Sequence, residues 1–142
     1  MIQAAGWGKA LDRAIYSFIS GIMELFNAIR ALSALAQEGR LEAFRLLVRA
    51  GPEGLAAGEI ARRLNAPPNT LSTRLHLLAE AGLVRSLRRG RSIIYRADYA
   101  AFERLLTYLI EDCCQGRAEV CTPLADLLSR AACRLTQAKE PA

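Results

Sequence analysis

The chain has 142 residues, which is enough for one domain with a substantial hydrophobic core but not for two. Hydrophobic residues make up 52% and charged residues 23% of it, with alanine- and leucine-rich stretches between few prolines, a composition typical of soluble, mostly helical proteins rather than disordered chains. The formal net charge of +5 is compatible with a polyanionic partner but does not require one, so the placement of the charges has to decide.

The amino-terminal apolar run has no feature of a targeting signal. The run from Ala14 to Met23 is followed by Glu24 and a continuing helical pattern, without a small-residue cleavage site. It is also shorter than the about 20 apolar residues that span a bilayer. We therefore expect a cytoplasmic protein with no membrane partner, whose cysteines are reduced and available as thiols or metal ligands.

The first predicted helix has a heptad seam. Its apolar residues recur at alternating steps of four and three: Leu11, Ile15, Phe18, Ile22, Leu25, Ile29, Leu32 and Ala36. Such a seam needs a partner helix along its length, either from the chain's own core or from a second copy. A homodimer is the simpler arrangement, and residues 1–36 are then an amino-terminal extension and dimerisation helix.

Three helices are predicted next, each with one apolar face. The first, Gly39 to Ala50, ends at Gly51-Pro52, and the second is the short segment GEIARRL. After the turn NAPP, Asn69 or Thr70 caps or begins the third helix, which Gly82 closes. The apolar faces consist of Leu41, Phe44, Leu47 and Val48, then Ile60, Ala61 and Leu64, then Leu71, Leu75, Leu78 and Ala79.

A hairpin and two further helices complete the chain. Two strand-like stretches, Leu83 to Arg88 and Ser92 to Ala97, flank a tip at Arg89-Gly90-Arg91. Helical spacing returns from Asp98, a good amino-terminal cap, to Asp112. Pro123 is placed to open a final amphipathic helix that continues through Leu135.

The order of these elements is that of a winged helix-turn-helix: short helix, tight turn, second helix, hairpin. Residues 85–96 contain five arginines and no acid, and a hairpin tip of arginines suits phosphates or a minor groove. The alternative is a plain basic surface. We predict a mostly α fold with a small β-hairpin wing, dimeric, with a DNA-binding core and dimerisation helix over residues 37–112.

The polar face of the second helix has side chains suited to a major groove. It consists of short hydrogen-bonding residues and one arginine: Asn69, Thr70, Ser72, Thr73, Arg74 and His76. An ordinary solvated face is the alternative. His76 is the only histidine, and on this face a DNA contact or surface role is favoured over a metal ligand or catalytic base.

The runs ALSALAQEGRLEAFRLLV, GEIARRLNAPPNTLSTRLHLLAEAGLV and RRGRSIIYRADYAAFERLLTYLIEDCC together resemble the ArsR/SmtB family of winged-helix metal-sensing repressors. The likeness covers roughly residues 30 to 121. It implies a homodimer whose first and last helices form the interface, with the helix at 69 to 81 in the major groove. It also implies a wing that binds DNA through Arg88, Arg89 and Arg91. The segment before residue 25 is longer than in a typical member and suggests an extended dimer interface.

Three of the four cysteines lie within ten residues, in the stretch DCCQGRAEVC. The cysteine pair that marks one arsenic and cadmium class of the family is missing from GEIARRL. The zinc class uses histidine, aspartate and glutamate near the carboxyl end, but no histidine follows His76 in this chain. The stretch resembles that of arsenical-responsive repressors with a carboxyl-terminal cysteine site. The resemblance implies that Cys113, Cys114 and Cys121 bind trivalent arsenic or antimony, and thiolates are the soft ligands such ions favour.

The cysteines leave other interpretations open. Structural zinc takes four ligands, so Cys133, Asp112 or the other subunit would have to complete the set. A helix running from 114 to 121 would separate the two sulfurs by about 10 Å, so one site needs a break, for which Gly116 is suited, or a second subunit. Buried thiols and oxidation to a disulfide are the alternatives. A thiol enzyme is disfavoured, because the sequence has no supporting base near the cysteines and no phosphate-binding glycine loop.

From the sequence we therefore expect a DNA-binding repressor, not an enzyme, that releases its operator when trivalent arsenic or antimony binds the cysteines. Residues 113–142 hold the cysteine site and a tail helix. The alternative is a winged-helix repressor switched by cysteine oxidation.

Overall fold

A computed structural model describes residues 7–111 and 118–137, with side chains placed for residues 12–111, 119 and 121–131. The chain divides into two compact units, residues 1–105 and 106–142. The predicted class is confirmed, since helices and a small antiparallel sheet follow one another in the order of a winged helix-turn-helix. The elements are α1 (Trp7–Leu35), α2 (Glu38–Ala50), β1 (Leu55–Ala56), α3 (Ala57–Leu64), α4 (Pro68–Glu80), β2 (Val84–Arg89), β3 (Ser92–Ala97), α5 (Tyr99–Ile110) and α6 (Ala118–Gln137).

Helix α1 is long and attaches to its own unit by a narrow strip near its end. It begins one turn before the predicted seam and runs for 29 residues, but its buried apolar residues are Ala28 and Ala31. Arg40 of α2 fixes its carboxyl end, because Arg40 Nε donates to the Ala34 carbonyl at 2.6 Å. By length and composition alone, the segment Asp12–Leu35 could cross a membrane, and 11% of its apolar 18-residue window is buried. The predicted apolar run was shorter than this stretch.

The core of the first unit lies between α2, α3, α4 and the base of the sheet. Its fully buried large side chains are Phe44, Leu47, Ile60, Leu71, Leu75, Leu78 and Leu83. Phe102 of α5 adds an edge-on ring contact to Phe44, with ring centroids 5.3 Å apart. The predicted faces of α2 and α4 are confirmed, except that Leu41 is exposed because Gly39 and Ala43 occupy the inner face of α2.

Helix α4 starts earlier than predicted and ends as predicted. Pro67 is its N-cap and Pro68 its first residue, so neither Asn69 nor Thr70 caps it. Proline suits this position because its φ is fixed near the helical value and its missing N–H would be unpaired anyway. At the other end Gly82 has φ +79°, and the Leu83 N–H donates to the Leu78 carbonyl at 3.1 Å. This is a Schellman motif, which only glycine adopts without strain.

The sheet has three strands in the order β1-β3-β2, all antiparallel. The two-residue strand β1 was not predicted. It pairs Leu55 with Tyr95 and so joins the start of α3 to the wing. Gly54 makes this approach possible, since a Cβ there would collide with the Tyr95 carbonyl.

The last two helices differ from prediction at their ends. Helix α5 ends at Ile110 rather than Asp112. Helix α6 begins at Ala118 and contains Pro123, which was predicted to open it. Because Pro123 has no N–H for the Glu119 carbonyl, it weakens the helix interior but does not end it.

Candidate nucleic-acid interface

Helix α4 is positioned by its apolar stripe. Leu71, Leu75 and Leu78 are buried, and α4 contacts α2 and α3 on this side. The pattern of leucines at steps of four and three leaves the opposite side of the helix without a contact to the core. That side is the one predicted to face a major groove.

The exposed side of α4 consists largely of the predicted residues. Asn69, Thr70, Ser72, Thr73 and His76 are all exposed. The Thr73 hydroxyl donates to the Asn69 carbonyl at 3.2 Å, which leaves its oxygen free to accept. The His76 Nε2 lies 3.3 Å from Glu80 Oε1, a contact that becomes an ion pair when the imidazole is protonated. This surface is a row of small donors and acceptors of the kind that can approach base edges.

Arg74 is placed differently from its neighbours on α4. It is half-buried, and its guanidinium lies against Gly39 in the first turn of α2. A Cβ at position 39 would come within 2.6 Å of Arg74 Nη2. The structure therefore separates Arg74 from the exposed row and places it between α4 and α2.

The wing ends in a tight two-residue turn. Arg89 pairs with Ser92, and Gly90 has φ +60° at the first turn position. Glycine at this position is typical of a type II′ turn, whose twist matches that of the flanking strands. The predicted tip is thus confirmed, with Arg89 placed in β2 and Arg91 in the turn.

The wing arginines lie on two faces. Side chains alternate along a strand, and directly paired residues share a face. Arg89 and Leu87 therefore share one face with their partners Ser92 and Ile94, while Arg88 and Ile93 lie on the other. Of the three predicted wing contacts, Arg88 and Arg89 point in opposite directions, and Arg91 is at the turn.

Two further arginines of the wing have distinct roles. Arg85 Nε donates to Asp98 Oδ2 at 2.6 Å, so this arginine is paired at the base of the wing. Arg96 is exposed and shares the face of Arg89. The prediction omitted Arg96, although the period-2 spacing from Ile94 would have placed it on that face.

The wing arginines have no acid partner in the described part of the chain except for Arg85, whereas the two arginines of α3 share one carboxylate. Within the described ranges, no salt bridge includes Arg88, Arg89, Arg91 or Arg96. In α3, by contrast, hydrogen bonds from Arg62 and then Arg63 lower the pKa of Glu59 to about 2. Both α3 arginines lie 2.6 Å from Glu59 Oε1. The wing is therefore a local cluster of positive charge, with four such arginines between positions 88 and 96.

The predicted cysteine site lies largely outside the described residues. Cys113, Cys114 and Gly116 fall in the gap between α5 and α6, and the side chain of Cys133 is not described. Cys121 is in the second turn of α6 and is disulfide-bonded. No group of three metal-binding side chains occurs among the residues that are described.

Comparison with protein families gives one match, to a helix-turn-helix domain. A family model for a helix-turn-helix domain matches residues 35–86, which span α2, α3, α4 and the start of β2. A comparison with curated protein sequences gives no match.

Solved structures with the same fold are regulators. An ArsR-like transcriptional regulator from Rhodococcus sp. RHA1 has a TM-score of 0.54 at 24% identity, covering 83% of this chain and 97% of its own. NolR from Sinorhizobium fredii has a TM-score of 0.51 at 28% identity, covering 65% and 89%. A homodimeric winged helix-turn-helix DNA-binding domain from Mycobacterium bovis, a possible ArsR-family transcriptional regulator, has a TM-score of 0.50 at 26% identity, covering 79% and 91%.

The resemblance to ArsR-family winged-helix regulators is confirmed by these matches. The helix-turn-helix domain, the wing and the helix that follows it occur here as in those regulators.

Proposed function

We propose that this chain, which has the fold of ArsR-family winged-helix regulators, is a homodimeric repressor of transcription that binds operator DNA. Two observations support the proposal: the exposed row of donors and acceptors on α4, and the wing arginines that have no acid partner among the described residues. The relative from Mycobacterium bovis is itself a homodimeric DNA-binding domain. Two copies would place two α4 helices in successive major grooves, so the operator is expected to be a near-palindrome.

The wing is the single feature that carries this proposal. The four exposed wing arginines have no acid partner among the described residues, whereas the two arginines of α3 share the carboxylate of Glu59. Phosphates supply an anion for the wing, and α4 beside the wing supplies the means to distinguish bases. In this arrangement the wing gives affinity and Asn69, Thr70, Ser72, Thr73 and His76 give specificity.

Selection from a random duplex library tests the DNA-binding proposal. The wild-type protein is expected to enrich a near-palindromic sequence. Ser72→Ala and Thr73→Ala should relax the preference at individual base pairs. The loss of discrimination at each affected base pair should be about 1–3 kcal/mol. Ser17→Ala, on an exposed face of α1, serves as the control and should select the same sequence as wild type. A wild-type protein that enriches no sequence would contradict the proposal.

We further propose that Cys113, Cys114 and Cys121 bind trivalent arsenic or antimony as thiolates. The feature that supports this is the presence of three soft ligands within ten residues. The site follows α5. An ion that binds the DNA-free form more tightly lowers the affinity for DNA by the same factor that DNA lowers the affinity for the ion.

Titration of the reduced protein on its selected operator tests this ligand set. Arsenite, a methylated trivalent arsenical, antimonite and zinc are added separately to wild type and to Cys113→Ser, Cys114→Ser and Cys121→Ser. We expect release of DNA by the arsenicals or antimonite from wild type, and a response weakened at least about tenfold in each variant. Cys133→Ser is the control and should respond as wild type. Three variants that respond as wild type would place the site elsewhere.

Oxidation is the second candidate for the switch, and the disulfide at Cys121 is the observation that favours it. Two thiols lose two protons and two electrons to an oxidant such as a peroxide and form one sulfur–sulfur bond. In this case Cys121 and its partner cysteine would sense the redox state rather than an ion.

The two candidates are separated by one pair of measurements. Operator affinity is measured for the reduced protein with arsenite, and for the peroxide-treated protein without it, with intact mass recorded in parallel. Release on oxidation, with a mass loss of about two protons per pair and no arsenite effect, would exclude the metalloid proposal. Release by arsenite from reduced protein, with no change on oxidation, would exclude the redox switch.

A further inference from the structure

Arg30 joins α1 to the carboxyl end of α4, the helix proposed to enter the major groove. Its Nη2 donates to the Glu80 carbonyl at 2.8 Å, across 50 residues of sequence. Arg40 also holds α1, through the Ser33 and Ala34 carbonyls, but it belongs to α2, the next helix in the chain. Among the side-chain hydrogen bonds of the described residues, that of Arg30 is the one that connects α1 to α4.

The Glu80 carbonyl lies at the helix end, where an outside donor is needed. The last four carbonyls of a helix have no partner within the helix. Here the N–H groups that follow α4 donate to the carbonyls of Leu77, Leu78 and Ala79. Arg30 donates to the next carbonyl in the series. It also supplies a positive charge to the negative end of the helix dipole, since α4 has no basic residue in its own last turn.

Packing holds α1 to the first unit through small side chains. Within residues 12–35, the buried residues are Ala28 and Ala31. Alanines form no ridge that interlocks with a neighbouring helix, so they keep α1 close without preventing rotation about the contact. Helix α4, by contrast, is fixed in the core by its three buried leucines. The position of α1 relative to α4 therefore depends strongly on the bond that Arg30 makes.

This position matters for a dimer that binds two half-sites. In the proposed homodimer, α1 belongs to the interface that the family resemblance implies, so the place of α4 on α1 sets the distance between the two α4 helices. Helix α4 has 13 residues and is about 20 Å long. A rotation of about 10° about its carboxyl end moves its amino end by about 3.5 Å, which is the rise of about one base pair.

We propose that Arg30 is a positioning residue for operator recognition, which fixes the half-site spacing that the dimer accepts. It acts through α4 rather than on the DNA. The exposed row of α4 selects the bases of each half-site, and Arg30 sets the distance between the two rows. This inference rests on the DNA-binding homodimer proposed above and assigns part of its specificity to a residue outside the DNA surface.

Competition between duplexes of different half-site spacing tests this role. The half-sites are those of the operator that the wild-type protein selects, and their centre-to-centre spacing is left unchanged, shortened by one base pair or lengthened by one base pair. The quantity compared is the ratio of the affinity for the selected spacing to the affinity for each altered spacing. A variant that is only destabilised loses affinity for all these duplexes by the same factor, so its ratio stays that of wild type.

Arg30→Ala should lower this ratio by about two- to fivefold, which is the range that a cation at a helix carboxyl end contributes. The change is modest because Arg30 is exposed to water. Arg30→Lys keeps the charge and an N–H donor and should restore the ratio of wild type. Arg49→Ala is the matched control, because Arg49 is also exposed and its Nε donates to the Arg45 carbonyl of its own helix at 3.4 Å. It should leave the ratio unchanged.

The salt dependence of binding distinguishes a positioning residue from a phosphate contact. The slope of log affinity against log salt concentration should stay within about 0.5 of wild type in Arg30→Ala. Loss of one phosphate contact from each copy would instead lower the slope by about 1.8 for a dimer.

Three results would each overturn the positioning role: an unchanged spacing ratio in Arg30→Ala, an equal fall in Arg49→Ala, or a slope lowered by about 1.8 in Arg30→Ala. A wild type that binds all the spacings equally would overturn it as well, because no spacing would then be fixed. In each case the DNA-binding proposal stands, since the wild type has selected an operator. A wild type that selects no sequence contradicts the DNA-binding proposal itself, and this inference with it.

Discussion

Asp98 connects the wing to α5 through two hydrogen bonds of its carboxylate. One oxygen accepts from the Ala101 N–H at 3.0 Å and caps α5, and the other accepts from Arg85 at 2.6 Å. Burial by itself raises the pKa of Asp98, but the Ala101 N–H and the Arg85 guanidinium outweigh burial and hold the pKa below its usual value. The ionised form of Asp98 is therefore the form that the fold stabilises.

We expect Asp98→Asn to destabilise the protein by about 1 kcal/mol at pH 7, because asparagine still caps α5 but loses the ion pair with Arg85. The cost is modest because the Arg85 side chain is 65% exposed and screened by water. Because the pKa of Asp98 is lower in the folded state, its ionised form stabilises the protein above the unfolded-state pKa of about 4. This stabilisation is lost as the pH falls through the folded-state pKa. The difference in free energy of unfolding, measured with urea, should therefore shrink below about pH 4. Glu103→Gln, an exposed acid of α5, should show no such difference.

Gly39 and Arg74 are predicted to be energetically coupled. Gly39 and Gly58 are both second residues of a helix, but a Cβ at 39 would collide with the Arg74 guanidinium, while a Cβ at 58 would meet nothing within 4 Å. Gly58→Ala should gain up to about 1 kcal/mol from helix propensity. Gly39→Ala should gain less, since Arg74 has to move.

A double-mutant cycle isolates this coupling. In an Arg74→Ala background, Gly39→Ala should be as favourable as Gly58→Ala when unfolding free energies are compared. Equal gains for the two glycine substitutions in the wild-type background would show that Arg74 has no fixed position at Gly39.

These two residues show what local pattern can predict. Asp98 was predicted as a cap because a cap depends on the next three residues. Its bond to Arg85 depends on the strand register, which no local signal specifies. Arg74 was assigned to the DNA face by its position on the helix, but its side chain is long enough to reach another helix. Short side chains such as Ser72 stay where the helix places them, so their exposure could be predicted, while their contact with DNA stays a prediction.

At the scale of elements, the wing depends on its turn. Gly90 has φ +60°, which a β-carbon makes unfavourable, by about 1 kcal/mol. Gly90→Ala should therefore distort the tip and weaken DNA binding several-fold while the core stays folded. Gly51→Ala after α2, at φ +86° and ψ −174°, should lower stability at least as much but without this effect on DNA. Equal losses of DNA affinity in both variants would show that the wing tip is not a contact.

The elements that could be predicted from the sequence are those with a repeated apolar spacing or with a glycine at a turn. The seam of α1, the stripe of α4 and the hairpin were all recognised, because each has a repeated spacing or a turn residue. Strand β1 has two residues and no periodicity, so only its pairing with Tyr95 reveals it. The start of α6 was placed at Pro123 because proline is common at helix starts, but the three residues before Cys121 already form a helix.

At the scale of the whole molecule, the distribution of charge matters more than the net charge. A formal charge of +5 did not identify a partner, because it does not distinguish paired from unpaired arginines. The fold makes this distinction: Glu59 pairs with both α3 arginines, Asp98 pairs with Arg85, and the other wing arginines stay unpaired among the described residues. The candidate DNA surface follows from which acids the chain brings to which arginines, and the sequence alone shows only the acid-free run from 85 to 96.

The salt dependence of operator binding measures how many of these arginines contact phosphates. Each phosphate contact contributes about 0.9 to the slope of log affinity against log salt concentration. Arg89→Ala removes one such contact from each copy, so a dimer should lose about 1.8 from this slope. Arg13→Ala removes the same charge from the polar face of α1 and should change the slope little. A dimer that loses about 0.9 would have one wing on the DNA, and equal changes for Arg13 and Arg89 would show that only the total charge matters.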